Sequence, residues 1–427
     1  MIVHPCKCIL GGMLMRKDSI VFSPANIGNL EIKNRLVRSA TYENAATSTG
    51  EVSDSLVAIY RNLAKGGVGL IITSITGVYA KAVSPRLIMR VDKDSFIPGL
   101  ARIPRTVRAA ARDCKVMLQL HHPGRQVVNK GDGKRLKPVD PPAFVAYVKK
   151  HPELFAPHKE APQFMEPTAP SAVYDAFFDR TPRALTVEEI ENIIDAFAEG
   201  VRRAKEAGFD GVQIHAAHGY LLSSFLSPRT NVREDAYGGS TENRTRIVRE
   251  IYRRARKKVG DSFPILIKMN VTDFLPGGID LDEALRIGRL LTDTGFTAIE
   301  TSGGMYEALT QKQEDLGWPP FSLAEARTGI KTADQEAYFF PSAAAFKKKT
   351  KATIILVGGL RSLSKIEEVI GSGAVDFAAM SRPLIRQPDL PNLWLLGQAP
   401  DKAQCISCNA CLPIGNDAID CRSRRAI

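Results

Sequence analysis

Residues 211–244 read GVQIHAAHGYLLSSFLSPRTNVREDAYGGSTENR, and they place His215, His218 and Tyr220 within six positions. The run starts as an apolar strand, so the three side chains fall at that strand's C-terminal end. Two imidazoles three residues apart can donate together to one oxygen, and a phenol beside them can supply a proton. A lone histidine is usually a satisfied core residue, but two histidines bunched with a tyrosine argue against that reading. A third reading makes His215 and His218 zinc ligands, with Asp235 or Glu234 as the nearest third ligand. A second cluster lies near the C-terminus, where Cys405, Cys408, Cys411 and Cys421 crowd together while Cys6, Cys8 and Cys114 are scattered. A disulfide framework would be more evenly dispersed. Four thiols so placed read as a metal or iron–sulfur site in a reducing compartment.

Positioning these groups requires a scaffold, and the hydrophobic pattern supplies one. Short β-branched or aliphatic runs at 35–39, 68–73, 116–120, 211–215, 264–269, 297–301, 353–357 and 377–380 alternate with longer amphipathic ones. Their near-continuous apolar character is that of parallel strands covered on both faces. Among the helical runs, 187–206 carries Ile190, Ile193, Ile194, Phe197 and Val201 as one stripe. Thr186 and Glu189 form a capping box before it, and Gly208 a stop after it. Eight strands with interleaved helices predict an α/β fold, a (β/α)8 TIM barrel. The alternative, a doubly wound sheet, would show a glycine-rich turn after its first strand. Here that strand runs instead into Ser39-Ala40-Thr41-Tyr42-Glu43.

One segment breaks the alternation. Residues 126–183 are rich in proline and poor in strand pattern. A long loop after the third strand rises from the face where barrel active sites lie, and is expected to cover the substrate. The expected organisation is an extension at 1–20 with little order, a barrel at 21–395 and a cysteine-rich tail at 396–427. A hydrophobic content of 44% and a charged content of 24% are those of a globular protein. No apolar run approaches the ~20 residues of a membrane span, and the N-terminus lacks a secretory pattern, so the expected location is cytoplasmic. A net charge of +12 invites a nucleic-acid reading. The basic residues, however, lie in helix-like runs without aromatic platforms, so no nucleic-acid partner is expected.

The stretch Ser227-Pro228, Asn231, Arg233, Asp235, Tyr237-Gly238-Gly239-Ser240 and Asn243-Arg244, joined to the His-x-x-His-x-Tyr unit, resembles the old yellow enzyme family of NADH:flavin oxidoreductases. The resemblance runs over residues 21–390. It implies that His215 and His218 bind a substrate's carbonyl oxygen and that Tyr220 protonates the substrate. It also implies FMN. Ser39, Ala40, Thr41 and Tyr42 would then lie at the flavin, with Gly77 in the same set. Gln119, in the Gln-Leu-His-His-Pro-Gly-Arg run, would bond the pyrimidine edge, and Arg244 would lie near N1 and O2. Gly358-Gly359 and Ser381-Arg382 would hold the phosphate. Two departures stand out: Tyr42 replaces the usual Thr, Cys or His, and Ser381 replaces a frequent glycine.

The implied activity moves a hydride from NADH or NADPH through FMN to the activated C=C of an α,β-unsaturated carbonyl or enoyl thioester. The tail is similar to that of the branch containing 2,4-dienoyl-CoA reductase and trimethylamine dehydrogenase. That likeness implies a [4Fe–4S] cluster on Cys405, Cys408, Cys411 and Cys421, with structural zinc as the alternative. The chain is expected to lack the flavin and nucleotide domains that follow this segment in those relatives. A small-molecule substrate is expected, together with an external electron carrier and a homo-oligomeric state. A flavin dehydrogenase of the amine-oxidising type, exporting electrons through the tail cluster, is the rival reading. A metal-dependent hydrolase built on His215 and His218 is a second.

Overall fold

Strand pairing in the computed structural model closes on itself. The structure describes residues 9–10, 13–14, 16–79, 87–127, 165–318, 323–412 and 418–426. Eight parallel strands, β1 Leu36–Arg38, β2 Leu70–Gly77, β3 Lys115–His121, β4 Gly211–Ala216, β5 Ile265–Asn270, β6 Ala298–Ser302, β7 Thr353–Leu356 and β8 Phe377–Met380, pair in sequence order. β8 pairs with β1 through Ala378–Leu36, Ala379–Val37 and Met380–Arg38, and this completes the barrel. Each strand is followed by a helix: α1 Asp54–Lys65, α2 Arg102–Ala110, α3 Val187–Glu206, α4 Arg246–Val259, α5 Leu281–Thr294, α6 Phe340–Lys349, α7 Leu363–Gly371 and α8 Leu390–Leu395. The predicted (β/α)8 barrel is thus observed.

The local reasons are legible in α3. Glu189 N–H donates to Thr186 Oγ1 at 3.2 Å, and Thr186 N–H donates back to Glu189 Oε2 at 2.9 Å. Ile190, Ile193, Ile194, Phe197 and Val201 are buried. Gly208 adopts φ +88°, a conformation that favours glycine, and lets the chain turn into β4.

The insertion between β3 and α3 lies mostly outside the described residues, which resume at 165. Its returning arm is tied to the β3 loop. Arg125 Nε donates to Asp175 Oδ2 at 2.9 Å, with both side chains buried. The expected extension at 1–20 also falls largely outside them. The tail does not stand apart from the barrel. Arg361 Nη1 donates to the Cys405 carbonyl at 2.7 Å, and Ile419 N–H donates to the Glu43 carbonyl at 2.9 Å.

A buried ion pair sets the first strand end. Arg38 Nη2 donates to Glu43 Oε1 at 3.2 Å, and Arg38 Nη1 to the Ser381 carbonyl at 2.5 Å. Tyr60 on α1 donates its hydroxyl to Glu43 Oε2 at 2.7 Å and accepts Ser74 N–H at 2.9 Å. Residues 39–42 are therefore held from both ends by charge and hydrogen bonding. Removing one partner strands a buried charge, which costs about 3–5 kcal/mol. Glu43→Ala should lose stability in that range in denaturant unfolding. Tyr60→Phe should lose only about 1–3 kcal/mol, the penalty of an unmade buried hydrogen bond.

Candidate active site

The C-terminal ends of the strands surround one cavity. Ser39, Ala40, Thr41 and Tyr42 line it after β1, Gln119 and His121 from β3, and His215 from β4, with His218 and Tyr220 just beyond. Lys268 enters from β5, and Val357, Ser381 and Arg382 from the ends of β7 and β8. The sequence-derived site residues Ser39 to Tyr42, Gln119, His215, His218, Tyr220, Ser381 and Arg382 therefore converge.

The floor is a connected polar network. Gln119 Nε2 donates to Gln213 Oε1 at 2.7 Å, and Gln213 Nε2 to Glu300 Oε2 at 2.7 Å. The other Glu300 oxygen accepts Ser39 Oγ at 2.5 Å and Lys268 Nζ at 3.0 Å. Lys268 also donates to Ser39 Oγ at 3.0 Å. Each buried polar group thus has a partner, which spares the cost of burying it alone. This leaves an amide, an ammonium and a hydroxyl along one side of the cavity. Arg382, across it, donates to the Arg327 carbonyl at 2.9 Å and Asn409 Oδ1 at 2.7 Å. Such a donor set suits a planar heteroaromatic ring with an anionic tail.

The histidines form a chain. His121 Nδ1 lies 3.0 Å from His215 Nδ1, His215 Nε2 lies 3.1 Å from His218 Nδ1, and His218 Nε2 lies 2.6 Å from Ser302 Oγ. The Tyr220 ring stands edge-on to His121, with centroids 4.5 Å apart. Burial pushes His121, His215 and His218 well below the ordinary imidazole range, so all three rings are neutral near pH 7. His218 sits at φ +64°, a strained value for a side chain with a Cβ. Its backbone is clamped there: the N–H donates to Asn270 Oδ1 at 2.9 Å, and the carbonyl accepts Gln126 Nε2 at 2.6 Å.

Four expected cofactor residues do not line the cavity. Arg244 ends a short helix outside the barrel wall. Its buried guanidinium pairs with Glu283 and donates to the carbonyls of Gly239 and, at 3.1 Å, Leu226. Lys268 is the cation that enters the cavity from β5, so the assignment of Arg244 to that role is corrected. Gly77 is spent on strand pairing with Arg90 and His121. Gly358 and Gly359 follow Val357 at φ +135° and +73°. A Cβ on Gly359 would come 2.5 Å from Ile330 and 2.9 Å from Tyr338, so the turn packs too closely for any side chain.

Sequence reasoning missed His121, Lys268, Glu325, Tyr306 and Asn409, all of which line the cavity. Two carried a readable signal. His121 is two residues from Gln119 on one strand and so shares its face. Lys268 is a lone charge inside an apolar strand, where lysine is buried only when paired. Burial pushes the Glu325 carboxyl up to about 7, against the pull of Lys268 and Arg382. The tail adds Cys411, Leu412 and Ile419 to the cavity wall. Among the described residues, no group of three or more His, Cys, Asp or Glu side chains is gathered to hold a metal ion. The histidine chain accordingly gives no support to zinc chemistry at His215 and His218.

His122 provides a test of burial. Its Nδ1 accepts Gly124 N–H at 3.1 Å, and burial pushes its imidazole down to about 3. The unfolded chain binds this proton below about pH 6.5, whereas the folded chain does not until about pH 3. The stability contributed by neutral His122 is therefore present above pH 6.5 and lost as the pH falls below it, by about 1.4 kcal/mol per pH unit. His122→Asn can keep the bond to Gly124 through its amide oxygen. In denaturant unfolding at pH 6 and pH 5, wild type should lose about 1 kcal/mol more across that interval than the variant.

The sequence model described as the NADH:flavin oxidoreductase / NADH oxidase family matches residues 20–394. The NADH oxidase of Thermoanaerobacter brockii is 34% identical over 394 residues, covering 91% of this chain and 52% of that protein. The 4,4'-dithiodibutanoate disulfide reductase of Rhodococcus erythropolis is 29% identical over 428 residues, covering 95% of this chain and 96% of that one. Among solved structures, a 2-naphthoyl-CoA reductase in complex with 2-naphthoyl-CoA superposes with a TM-score of 0.77 at 26% identity, covering 94% of this chain and 56% of that one. An old yellow enzyme homologue from Zymomonas mobilis shares the fold with a TM-score of 0.66 at 23% identity, covering 90% and 95%. The chain spans about half the length of the first curated relatives it matches, 52% and 51%. With this match running from before β1 into α8, over a cavity ringed by the strand ends, the chain belongs to the NADH:flavin oxidoreductase / NADH oxidase family.

Proposed function

We propose that the protein is an FMN-dependent NAD(P)H oxidoreductase of the ene-reductase type, acting on an α,β-unsaturated carbonyl or an enoyl thioester. The observation that carries this reading is the placement of His215, His218 and Tyr220 in one cavity with Gln119, Lys268 and Arg382. Gln119, Lys268 and residues 39–42 would hold the ring of FMN, and Ser381 and Arg382 its phosphate. Bound FMN would supply hydride transfer between a nicotinamide and a polarised double bond. His215 and His218 would donate hydrogen bonds to the substrate's carbonyl oxygen, which gains negative charge as the double bond is reduced. Neutral imidazoles suit this task because they carry N–H donors without needing a low pH. Tyr220 would hold the proton delivered to the α-carbon. The thioester option draws support from the likeness to the 2-naphthoyl-CoA reductase.

Tyr220→Phe tests the division of labour. The variant should retain FMN and its reduction by NADH or NADPH, while alkene reduction falls by about 10²–10⁴-fold, the worth of a positioned acid. Release of FAD instead of FMN on denaturation, or unchanged alkene turnover, would overturn the reading.

For the tail we propose a second cofactor, on the spacing of its cysteines. Cys405 and Cys421 are buried, Cys411 is half-buried and Cys408 exposed. Burial raises the Cys405 and Cys411 thiols, Cys411 to about 11. The two-residue gaps would suit a [4Fe–4S] cluster, although among the described residues the four thiols are not gathered as a metal site and would have to close up to hold one. A cluster there would serve an external electron carrier, the role expected in an amine-oxidising dehydrogenase. Anaerobically purified protein should contain about four irons and four sulfides per chain. Stoichiometric zinc without sulfide would leave the tail a structural role alone.

A further inference from the structure

We propose that Arg327 is an anion-docking residue beside the cavity, and that it receives a phosphate group of the ligand that enters there, a nicotinamide dinucleotide or a coenzyme A thioester. The inference rests on the reading of that cavity as the flavin and substrate site.

The Arg327 guanidinium lies among aromatic rings. Its Cζ is 3.9 Å from the ring centroid of Trp318 and 4.2 Å from that of Tyr338, with Phe274 and Phe339 each at 5.7 Å. Such rings favour the cation and order its plane, but their faces offer no acceptor oxygen to its N–H groups. Nε is buried without a hydrogen-bond partner. Among the described residues the guanidinium makes no hydrogen bond and no ion pair. In this it stands apart from the other arginines that bury an unpartnered nitrogen. Arg38 pairs with Glu43, Arg125 with Asp175, Arg229 with Glu307 and Arg361 with Glu336. Arg180 donates to the carbonyls of Arg125 and Val127. Arg327 is thus a half-buried cation with its charge uncompensated and its donors unspent, a cost that a bound anion would offset.

Its backbone ties this cation to the cavity. Leu323, Glu325 and Ala326, in the same loop after β6, line the cavity wall, whereas Arg327 does not. The Arg327 carbonyl accepts Arg382 Nη1 at 2.9 Å, and the Ala326 carbonyl accepts Asn409 Nδ2 at 2.7 Å. The Tyr338 hydroxyl donates to the Glu325 carbonyl at 2.9 Å, which holds one of the stacking rings to the same loop. The charge therefore sits next to the cavity but outside the space assigned to FMN, where the remainder of a longer ligand would lie. Both candidate ligands carry phosphates many bonds away from their reacting group. A planar fork of N–H donors matches the oxygens of a phosphate, and the rings have already ordered it, so less freedom is lost on binding.

The test uses the flavin-loaded protein with Arg327→Met and Arg327→Lys, and records the flavin content and unfolding midpoint of each. Calorimetry then compares two pairs of probes: NADP+ against nicotinamide riboside, and coenzyme A against pantetheine. Within each pair only the first carries phosphate. In wild type at least one phosphate-bearing probe should bind more tightly than its partner. Arg327→Met should weaken that probe about tenfold or more, the worth of a hydrogen bond to a charged group, and leave the phosphate-free partner unchanged. Arg327→Lys keeps a cation on the rings, and with it the fold, but loses the planar fork, so it should weaken the same probe by a smaller factor. The pair that responds identifies the ligand. No preference for phosphate in wild type, or unchanged affinity for both phosphate-bearing probes in the variants, would overturn the proposal. Equal losses for the phosphate-free partners would do the same, since they mark Arg327 as a structural strut. Loss of FMN from a folded Arg327→Met variant would assign the arginine to the flavin instead. The flavin reading fails separately: it is lost if wild type cannot be loaded with FMN, while probe binding to the flavin-free protein still reports on Arg327.

Discussion

Lys268 and Glu300 face each other across β5 and β6 with both side chains buried inside the barrel, at 3.0 Å. A buried pair of charges is tolerable only when its remaining lone pairs and protons are met. Ser39 meets one Glu300 oxygen and Gln213 the other, and Gln213 in turn fixes the Gln119 amide. Four of the eight strands, with Ser39 at the end of a fifth, are thus committed to one arrangement. The site cannot be reshaped at one strand without leaving a polar group unmet at another. The same closed account explains why a cavity so polar survives at the centre of a hydrophobic fold.

The histidine chain extends this logic upward. Its members come from β3, β4 and the turn after β4, and it ends on Ser302 of β6. The strained φ of His218 is held by Asn270 from β5 and by Gln126 from the β3 loop. Chemistry that needs a fixed N–H direction is thereby tied to rigid strands, and the loops supply only the clamps.

How much of this was readable depended on the range of the interaction. The eight strands were legible because parallel strands covered on both faces are written as continuous apolar runs; β8 was read at its observed bounds and the others within a few residues. The α3 cap was legible because Thr186 and Glu189 are local partners. The barrel-end residues Ser39 to Tyr42, Gln119, His215, His218 and Tyr220 followed from the strand ends and the family resemblance together. Arg244 was misplaced because a contiguous motif does not show where the chain leaves the cavity and starts an outer helix. Lys268 was overlooked because its partners, Ser39 and Glu300, are distant in sequence. The cysteine spacing marked the tail as a site, yet nothing local to it revealed that Cys411, Leu412 and Ile419 form part of the cavity wall.

That wall has a thermodynamic consequence. Asn409 holds Arg382, Ile419 holds the carbonyl of Glu43, and Arg424 Nη2 donates to the Ile385 carbonyl at 3.1 Å. Described residues of the C-terminal segment, Asn409, Cys411, Leu412 and Ile419, therefore wall the cavity on one side. These contacts tie the integrity of the cavity wall to that of the C-terminal segment, so local unfolding of that segment would open the wall beside Cys411 and Leu412. The shape of the cavity and the docking of the tail become one equilibrium.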